Sequence, residues 1–231
     1  MKRAKSRQAV LRFKPHGGKR KRAGRKPVGF RREGPAHRAR ERKLSGREPA
    51  HVTLRTVGGL VNLRAKAVFE AVKGLLRAAQ ERFGYRVIQF SLQRNHLHLI
   101  VEAADWVSLS RGSKGLAVRL ARMINARMGR RGRVFAHRYD AHVLRRPLEV
   151  RNALVYVLNN AKKHAREAGI AVPRGWLDPF SSAPTFDGWA DRRDVPMGSA
   201  DPPAVLAASG WLLTTGWKRH GELSLSEMPR S

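Results

Sequence analysis

The order of periodic segments between residues 51 and 167 is the feature that most constrains the fold of this chain. Residues 51–56, 85–93, 96–103 and 138–146 alternate or form short apolar runs, which predicts four β-strands. Residues 61–83, 109–128 and 148–167 carry apolar side chains at helical spacing. We interpret Gly84 as the end of the first helix, and Pro147 and Gly169 as the boundaries of the last one.

The predicted order is therefore β-α-β-β-α-β-α. It matches the split βαβ arrangement of an α+β, ferredoxin-like (RRM-like) fold, with an antiparallel sheet and helices on one face. The open face of such a sheet suits a nucleic-acid ligand. Many unrelated proteins share this architecture, so the function has to be argued from the side chains.

Two histidines stand one residue apart on the third predicted strand, within Asn-His-Leu-His-Leu-Ile-Val at residues 95–101. Side chains alternate along a strand, so His96 and His98 share one face and Leu97 and Leu99 point to the other. Two neutral imidazoles at this spacing can bind one divalent cation. The competing interpretation is an ordinary pair of histidines on a strand.

A second polar group lies on the last predicted helix. Tyr156 and Asn160 are four residues apart and therefore project from the same face, with Lys163 nearly one turn further on. An ordinary solvated helix face is the alternative interpretation. The apolar stripe that would pack on the sheet is separate: Leu154, Leu158, Ala161 and Ala165.

Together the two groups predict a reaction centre for phosphodiesters. A metal held by His96 and His98 would polarise the scissile phosphate as a Lewis acid. The side-chain oxygen of Asn160 is a hard ligand that suits Mg²⁺ or Mn²⁺. Tyr156 would be the nucleophile and would form a covalent phosphotyrosine. Because the covalent bond conserves the phosphoester energy, a strand can be rejoined without ATP.

The charge of the chain favours a polyphosphate partner. Lys and Arg number 48 against 17 Asp and Glu, a formal net charge of +31. No apolar stretch is long enough to span a bilayer, and no secretory signal follows the basic start. The absence of cysteine excludes disulfides and thiolate metal sites. We expect a cytoplasmic protein that binds DNA or RNA and no membrane.

Composition divides the chain into three parts. Residues 1–50 contain 19 Lys and Arg, 3 Glu and few apolar residues, so residues 1–49 should be a basic arm that is disordered by itself. Residues 50–168 should form the catalytic domain. Residues 169–231 hold four of the five tryptophans. We expect this extension to wrap onto the domain with the tryptophans as packing anchors, and base stacking by one of them is the second interpretation.

A short segment of the arm, residues 21–27, resembles the AT-hook, a basic peptide that enters the A·T minor groove. The central Arg-Gly-Arg-Pro of that motif is here Gly-Arg-Lys-Pro, so a generic phosphate-binding tail is the favoured interpretation. The predicted DNA-binding residues are Arg25 and Lys26 in this segment, Arg94 beside the histidine strand, and Lys163 on the last helix.

Four segments resemble the single-tyrosine HUH transposases, and within them the REP-associated tyrosine transposases. Residues 95–100 resemble the histidine-hydrophobic-histidine strand, and residues 132–140 the segment before the last strand. Residues 156–160 resemble the nucleophile helix, in which a metal-binding Gln or Asn follows the tyrosine by four residues. Residues 176–182 resemble a Trp-Pro-x-Ser-Ser stretch. The resemblance covers roughly residues 51 to 183, in the family's order.

This resemblance implies an HUH-type fold and metal-dependent cleavage and joining of single-stranded DNA, often at a hairpin. It also implies a bacterial, nucleoid-associated protein that is a monomer or a homodimer. The tyrosine would leave a 5′-phosphotyrosine and a free 3′-OH. The sequence departs from the branch at Ala161, where Pro is usual, so the helix should continue to about Glu167. It also has Gln93 and Arg94 where a Met-Pro or Leu-Pro pair is common. Neither departure alters a reacting group.

Two other classes of function remain open. A non-catalytic nucleic-acid-binding module for structured RNA or DNA would form no covalent adduct and need no metal. A basic architectural DNA-binding protein would lose DNA binding when residues 1–49 are deleted.

Overall fold

A computed structural model describes residues 44–60, 62–79, 81, 83–191 and 203–229. These residues belong to one unit of the chain, which begins at residue 42. The predictions for residues 1–43, including those for the AT-hook-like segment with Arg25 and Lys26, lie outside the described residues. The proposed boundaries at residues 49 and 168 stay predictions.

Four strands form one antiparallel sheet. They are β1 (Ala50–Arg55), β2 (Tyr85–Leu92), β3 (His96–Ala103) and β4 (Asp140–Val143), in the spatial order β2-β3-β1-β4. Strand β3 separates β1 from β2, and every neighbouring pair is antiparallel. This is the split βαβ topology of the ferredoxin-like fold, so the predicted α+β fold class is confirmed.

The helices lie on both faces of the sheet. They are α1 (Lys66–Ala78), α2 (Trp106–Arg127), α3 (Pro147–Glu167) and the short α4 (Trp211–Thr214). Helices α1 and α2 share one buried core with the sheet. Helix α3 shares a second core with residues of the opposite face, so the prediction that the helices lie on one face and leave the other open is wrong for α3. Among the described residues, no helix is both long enough and apolar enough to cross a membrane.

The first helix is shorter than the predicted 61–83. The backbone N–H of Leu63 donates to the carbonyl of Arg94, so the chain before α1 is held against the β2–β3 turn and enters the helix only at Lys66. Gly84, with φ +67°, lies six residues beyond the end of α1. Its carbonyl accepts from Ala104, and an added Cβ would meet the Ala104 Cβ at 2.9 Å. Gly84 therefore lies directly before β2 and does not end α1.

Strand β4 is also shorter than predicted, because it occupies only Asp140–Val143 of the predicted 138–146. The Leu144 N–H still donates to the Pro49 carbonyl, but Pro49 has no N–H to return a bond, so the ladder of β1 and β4 ends there. Within residues 203–229 the chain forms the short helix Trp211–Thr214 and a 3-10 turn at Gly216–His220.

The segment after α3 closes the free edge of β2. Leu92 donates to the carbonyl of Phe180, and Ser182 donates to the carbonyl of Phe90. The carboxylate of Asp178 is 1% exposed and receives both terminal nitrogens of Arg64, at 2.9 and 2.7 Å. This bidentate pair ties residues 176–182 to the chain just before α1.

Two of the four C-terminal tryptophans are packing anchors. Trp189 and Trp217 are each 1% exposed and belong to the core beneath α3, whereas Trp211 is 48% exposed. Each buried indole N–H donates to a backbone carbonyl, Trp189 to Ala183 and Trp217 to Leu213. The extension therefore completes the core on the α3 side of the sheet.

Candidate active site

Strand β3 carries His96 and His98 on the face that α3 covers. Ile100, on the same side of the strand, is buried in the core with α3, whereas Leu97 and Leu99 are buried in the core with α1 and α2. The two imidazole rings have centroids 5.8 Å apart and planes inclined by 10°. The alternation predicted from the sequence is therefore present, and the histidine pair is aligned.

Each imidazole is oriented through its Nδ1 atom. Nδ1 of His96 lies 2.7 Å from Oδ1 of Asn95. Nδ1 of His98 lies 3.2 Å from Oγ1 of Thr53 and 3.3 Å from Nε2 of His51. In metal sites the ring nitrogen opposite the metal usually makes such a bond, which fixes the tautomer and the orientation of the ring. Nε2 is thus the nitrogen of each ring that would bind a metal.

Burial keeps these imidazoles neutral at physiological pH. It lowers the pKa of His98 to about 3, and the neighbouring histidines lower it further. It lowers the pKa of His51 to about 4. The pKa of His96 is lowered by burial first and then by the charge of Arg55. The neutral ring is the form that binds a metal ion.

Tyr156 projects from α3 over two of these rings. Its ring centroid lies 5.2 Å from that of His98, with the planes at 89°, and 5.5 Å from that of His51. Burial, and then the negative charge of Glu167, raise the pKa of Tyr156, so its hydroxyl is protonated at neutral pH. One chain therefore supplies both the histidine pair and the tyrosine.

Asn160, one turn beyond Tyr156, is buried and does not line the cleft between α3 and the sheet. Its side chain is 1% exposed, and its Nδ2 has no hydrogen-bond partner among the described residues. The amide of the preceding Asn159 donates to the carbonyl of Glu227 and accepts from Lys162. A buried donor without a partner is unfavourable, and because Nδ2 can only donate, this orphan atom does not itself indicate a metal ligand.

The donor set is compatible with a hard divalent cation. No group of three or more His, Cys, Asp or Glu side chains within the described ranges has the geometry to hold a metal ion. Two neutral imidazoles and one amide oxygen make an open set that phosphate oxygens or water would complete, as suits Mg²⁺ or Mn²⁺. The oriented rings of His96 and His98 fit this role, whereas the buried Asn160 does not line the cleft that they face. Their role as metal ligands stays a prediction.

The cleft has a volume of about 1090 Å³, and Tyr156 and both histidines line it. Three exposed arginines from separate segments also line it: Arg55, Arg94 and Arg138. Within the described part of the chain, no ion pair engages these three guanidinium groups. Of the predicted DNA-binding residues, Arg94 is thus at the cleft, whereas Lys163 does not line it.

Sequence reasoning missed the contribution of strand β1. His51, Thr53 and Arg55 alternate along β1, and Thr53 lies directly opposite His98 in the register of β1 with β3. The sequence contains a signal for this contribution. Polar side chains occupy every second position of the first predicted strand, and the ferredoxin-like order places that strand beside β3.

Three further histidines lie near the same centre. His137 and His164 line the cleft, and His164 bonds through Nδ1 to Glu167 at 3.0 Å. His142 lines an adjoining pocket together with His51 and Tyr156.

Residues 60–160 match the family model described as "Transposase IS200 like". No curated protein sequence matches the chain. One similar solved structure is described as "Structure of the REP associates tyrosine transposase bound to a REP hairpin". It is 15% identical, the match covers 73% of this chain and 96% of that chain, and the TM-score is 0.48.

Proposed function

We propose that this chain, whose residues 60–160 match the model of the IS200-like transposases, cleaves and rejoins single-stranded or hairpin DNA through a 5′-phosphotyrosine. The observation that carries this proposal is the position of Tyr156 over His98, with ring centroids 5.2 Å apart. A tyrosine beside two oriented, neutral imidazoles is the combination that covalent phosphodiester chemistry needs.

Tyr156 is the nucleophile of the cleavage step. Its hydroxyl oxygen bonds to the scissile phosphorus and loses its proton as the bond forms. The bond from phosphorus to the 3′ oxygen breaks, and that oxygen takes a proton and leaves as a free 3′-OH. In rejoining, a 3′-OH attacks the phosphotyrosine and releases the Tyr156 hydroxyl. The phosphoester bond is exchanged and not hydrolysed, so no external energy source is required.

His96 and His98 would hold a Mg²⁺ or Mn²⁺ ion, which would supply Lewis-acid stabilisation of the scissile phosphate. Thr53 and Asn95 orient the two rings through their Nδ1 atoms and leave Nε2 for this role. The oxygen of Asn160 would be the additional ligand, once its buried side chain reached the cleft.

The exposed arginines of the cleft position the strand. Arg55, Arg94 and Arg138 bind phosphates on either side of the scissile bond, and the charged residues outside the cleft add affinity that does not depend on sequence. Because one chain contributes every group of the site, a monomer is sufficient. A DNA substrate implies that the protein acts in the cytoplasm, on the nucleoid.

The test is the formation of a covalent adduct. End-labelled hairpin DNA with single-stranded flanks is incubated with the protein and Mn²⁺ or Mg²⁺, and a denaturing gel separates free DNA from DNA joined to protein. We expect an adduct with the wild type and none with Tyr156→Phe. Phe removes only the hydroxyl, so the melting temperature and the DNA affinity should be unchanged.

Tyr139→Phe is the matched control, because Tyr139 packs against the core of α1 and α2 and not on the α3 side. It should form the adduct at wild-type yield. An adduct at normal yield in Tyr156→Phe would place the nucleophile elsewhere. Wild-type binding without any adduct, with or without metal, would favour a non-catalytic nucleic-acid-binding module.

A further inference from the structure

One wall of the cleft is apolar. It is formed by side chains from the end of α3 and the turn that follows: Ala165, Ala168, Ile170, Val172, Pro173 and Trp176. Ile170 is 62% exposed although it belongs to no packed core. We call these six residues the apolar wall. Phosphodiester chemistry at Tyr156 makes no use of them.

The apolar wall is held in place by hydrogen bonds within it and by an ion pair just beyond it. The N–H of Trp176 donates to the carbonyl of Pro173 at 3.1 Å, and the N–H of Ile170 donates to the carbonyl of Ala165 at 2.8 Å. Two residues beyond Trp176, the buried carboxylate of Asp178 is fixed by Arg64. Trp176 therefore enters the cleft from an anchored backbone, and ordering it costs little when a ligand binds.

The same cleft combines this wall with cations. Arg55, Arg94 and Arg138 contribute charge, and Tyr156 and His98 mark the reacting position. A ligand that binds both the arginines and the apolar wall carries negative charges joined to flat apolar faces. Single-stranded DNA has this chemistry, because its bases are unstacked from a partner strand and every base has a π face. Duplex DNA would offer the charges but would keep its base faces hidden.

We propose that the apolar wall is a nucleobase subsite, in which a base of single-stranded DNA next to the scissile phosphate stacks on Trp176. The proposal rests on the proposed function for the identity of the nucleic acid. The volume of about 1090 Å³ exceeds the range of about 300–1,000 Å³ that is typical for pockets holding one small ligand, so the base and the scissile phosphate fit together. Base stacking here would splay the strand and present the phosphate to Tyr156.

The experiment compares two labelled strands of equal length, an oligothymidylate and the same strand with abasic sites in place of every thymine. Fluorescence anisotropy at fixed salt, with EDTA present, gives the affinity for each. The two strands carry the same phosphates, so the ratio of affinities reports contacts to bases and cancels the contribution of the basic residues. Trp176→Leu keeps an apolar side chain without a π face, and Trp176→Phe keeps the π face.

We expect Trp176→Leu to lower the ratio of affinities by roughly 5- to 150-fold, the loss of one base stack, with affinity for the abasic strand unchanged. Trp176→Phe should retain most of the ratio. Trp211→Ala is the control, because Trp211 is exposed and outside the cleft, and should keep the wild-type ratio. Equal ratios for the Leu and Phe variants, or an equal loss in Trp211→Ala, would overturn the proposal.

The outcome is independent of catalysis. Binding is measured without metal, so the ratio can fall in Trp176→Leu even where no covalent adduct ever forms. Failure of the wild type to form the adduct would contradict the proposed function alone. An unchanged ratio in Trp176→Leu, with normal adduct formation, would contradict the nucleobase subsite alone.

Discussion

At the scale of single residues, His98 is the most constrained group of the site. Thr53 and His51 hold its Nδ1 from strand β1, and Tyr156 covers its ring from α3. A ring fixed through one nitrogen presents the other nitrogen in a single direction, which lowers the entropy cost of binding a metal. Changes around His98 should therefore alter metal affinity more than stability.

Thr53→Val tests this orientation. Valine has the shape of threonine without the hydroxyl, so His98 would lose its bond to Oγ1 and keep only the contact with His51. We expect the Mn²⁺ concentration for half-maximal adduct formation to rise roughly 10-fold, the lower end of the usual effect of such partners. Thr214→Val, on the distant helix α4, should leave the titration unchanged. An unchanged Mn²⁺ titration in Thr53→Val would show that Thr53 does not support a ligand.

The two adjacent asparagines of α3 should respond in opposite ways to the same substitution. Asn160→Leu removes a buried amide whose Nδ2 has no partner among the described residues, so the free energy of unfolding should stay equal or rise by about 1 kcal/mol while adduct formation is abolished. Asn159→Leu breaks the bonds with Glu227 and Lys162 and should cost about 1–3 kcal/mol. Thermal unfolding and the adduct gel measure both effects. A large loss of stability in Asn160→Leu would assign that residue a structural role.

At the scale of elements, the sequence predicts the bounds of a strand or helix best where the apolar residues follow a single period, either two or 3.6 residues. Strand β3 occupies the predicted residues 96–103, and α3 begins one residue before the predicted start and ends at the predicted Glu167. The predicted grouping of His96, His98 and Tyr156 follows from these two elements and the sheet order. The start of α1 could not be predicted, because it depends on a long-range bond from Leu63 to Arg94.

The contribution of β1 to the site could not be predicted in detail, because it depends on the register between β1 and β3. A local sequence pattern does not contain that register. His51 and Thr53 meet His98 only because β1 pairs antiparallel with β3 in one register. The role of residues 176–182 was equally non-local. The resemblance marked this segment, but its partners Arg64 and Phe90 lie far away in sequence.

The pair of Asp178 and Arg64 should therefore control the stability of the β2 edge. Asp178→Ala leaves the guanidinium of Arg64 without its carboxylate and removes the acceptor of the Phe180 N–H. We expect the free energy of unfolding to fall by about 3 kcal/mol. This value is at the low end of the usual cost of breaking a buried ion pair, because the Arg64 side chain is 22% exposed. Denaturant unfolding measures the change.

Glu70→Ala is the control for this substitution. The carboxylate of Glu70 pairs with Lys73 on the surface of α1 and is 49% exposed, so its removal should cost under about 1 kcal/mol. Equal effects of the two substitutions would mean that the Asp178 pair does not hold the C-terminal segment in place.

At the scale of the whole molecule, part of the basic charge lies in an N-terminal arm that contains none of the reacting groups. Every group assigned to the reaction lies between His51 and Asn160, whereas residues 1–41 carry 16 Lys and Arg against 2 Glu. Some residues ahead of the boundary predicted at residue 49 contact the domain. Leu44 is buried in the core, and Leu144 donates to the carbonyl of Pro49. A truncation that preserves the domain should therefore remove only residues 1–41.

Deletion of residues 1–41 should weaken DNA binding by a similar factor for all sequences and flatten its dependence on salt. Removing one cation that binds a phosphate lowers the slope of log K against log salt by about 0.7 for single strands and about 0.9 for duplexes. Adduct formation at saturating hairpin DNA should persist, because the groups of the cleft remain. If the segment at residues 21–27 acts as an AT-hook, the decrease in affinity will be largest on A·T-rich duplex. A truncated protein that is saturated with hairpin DNA but forms no adduct would show that the arm supplies part of the active site.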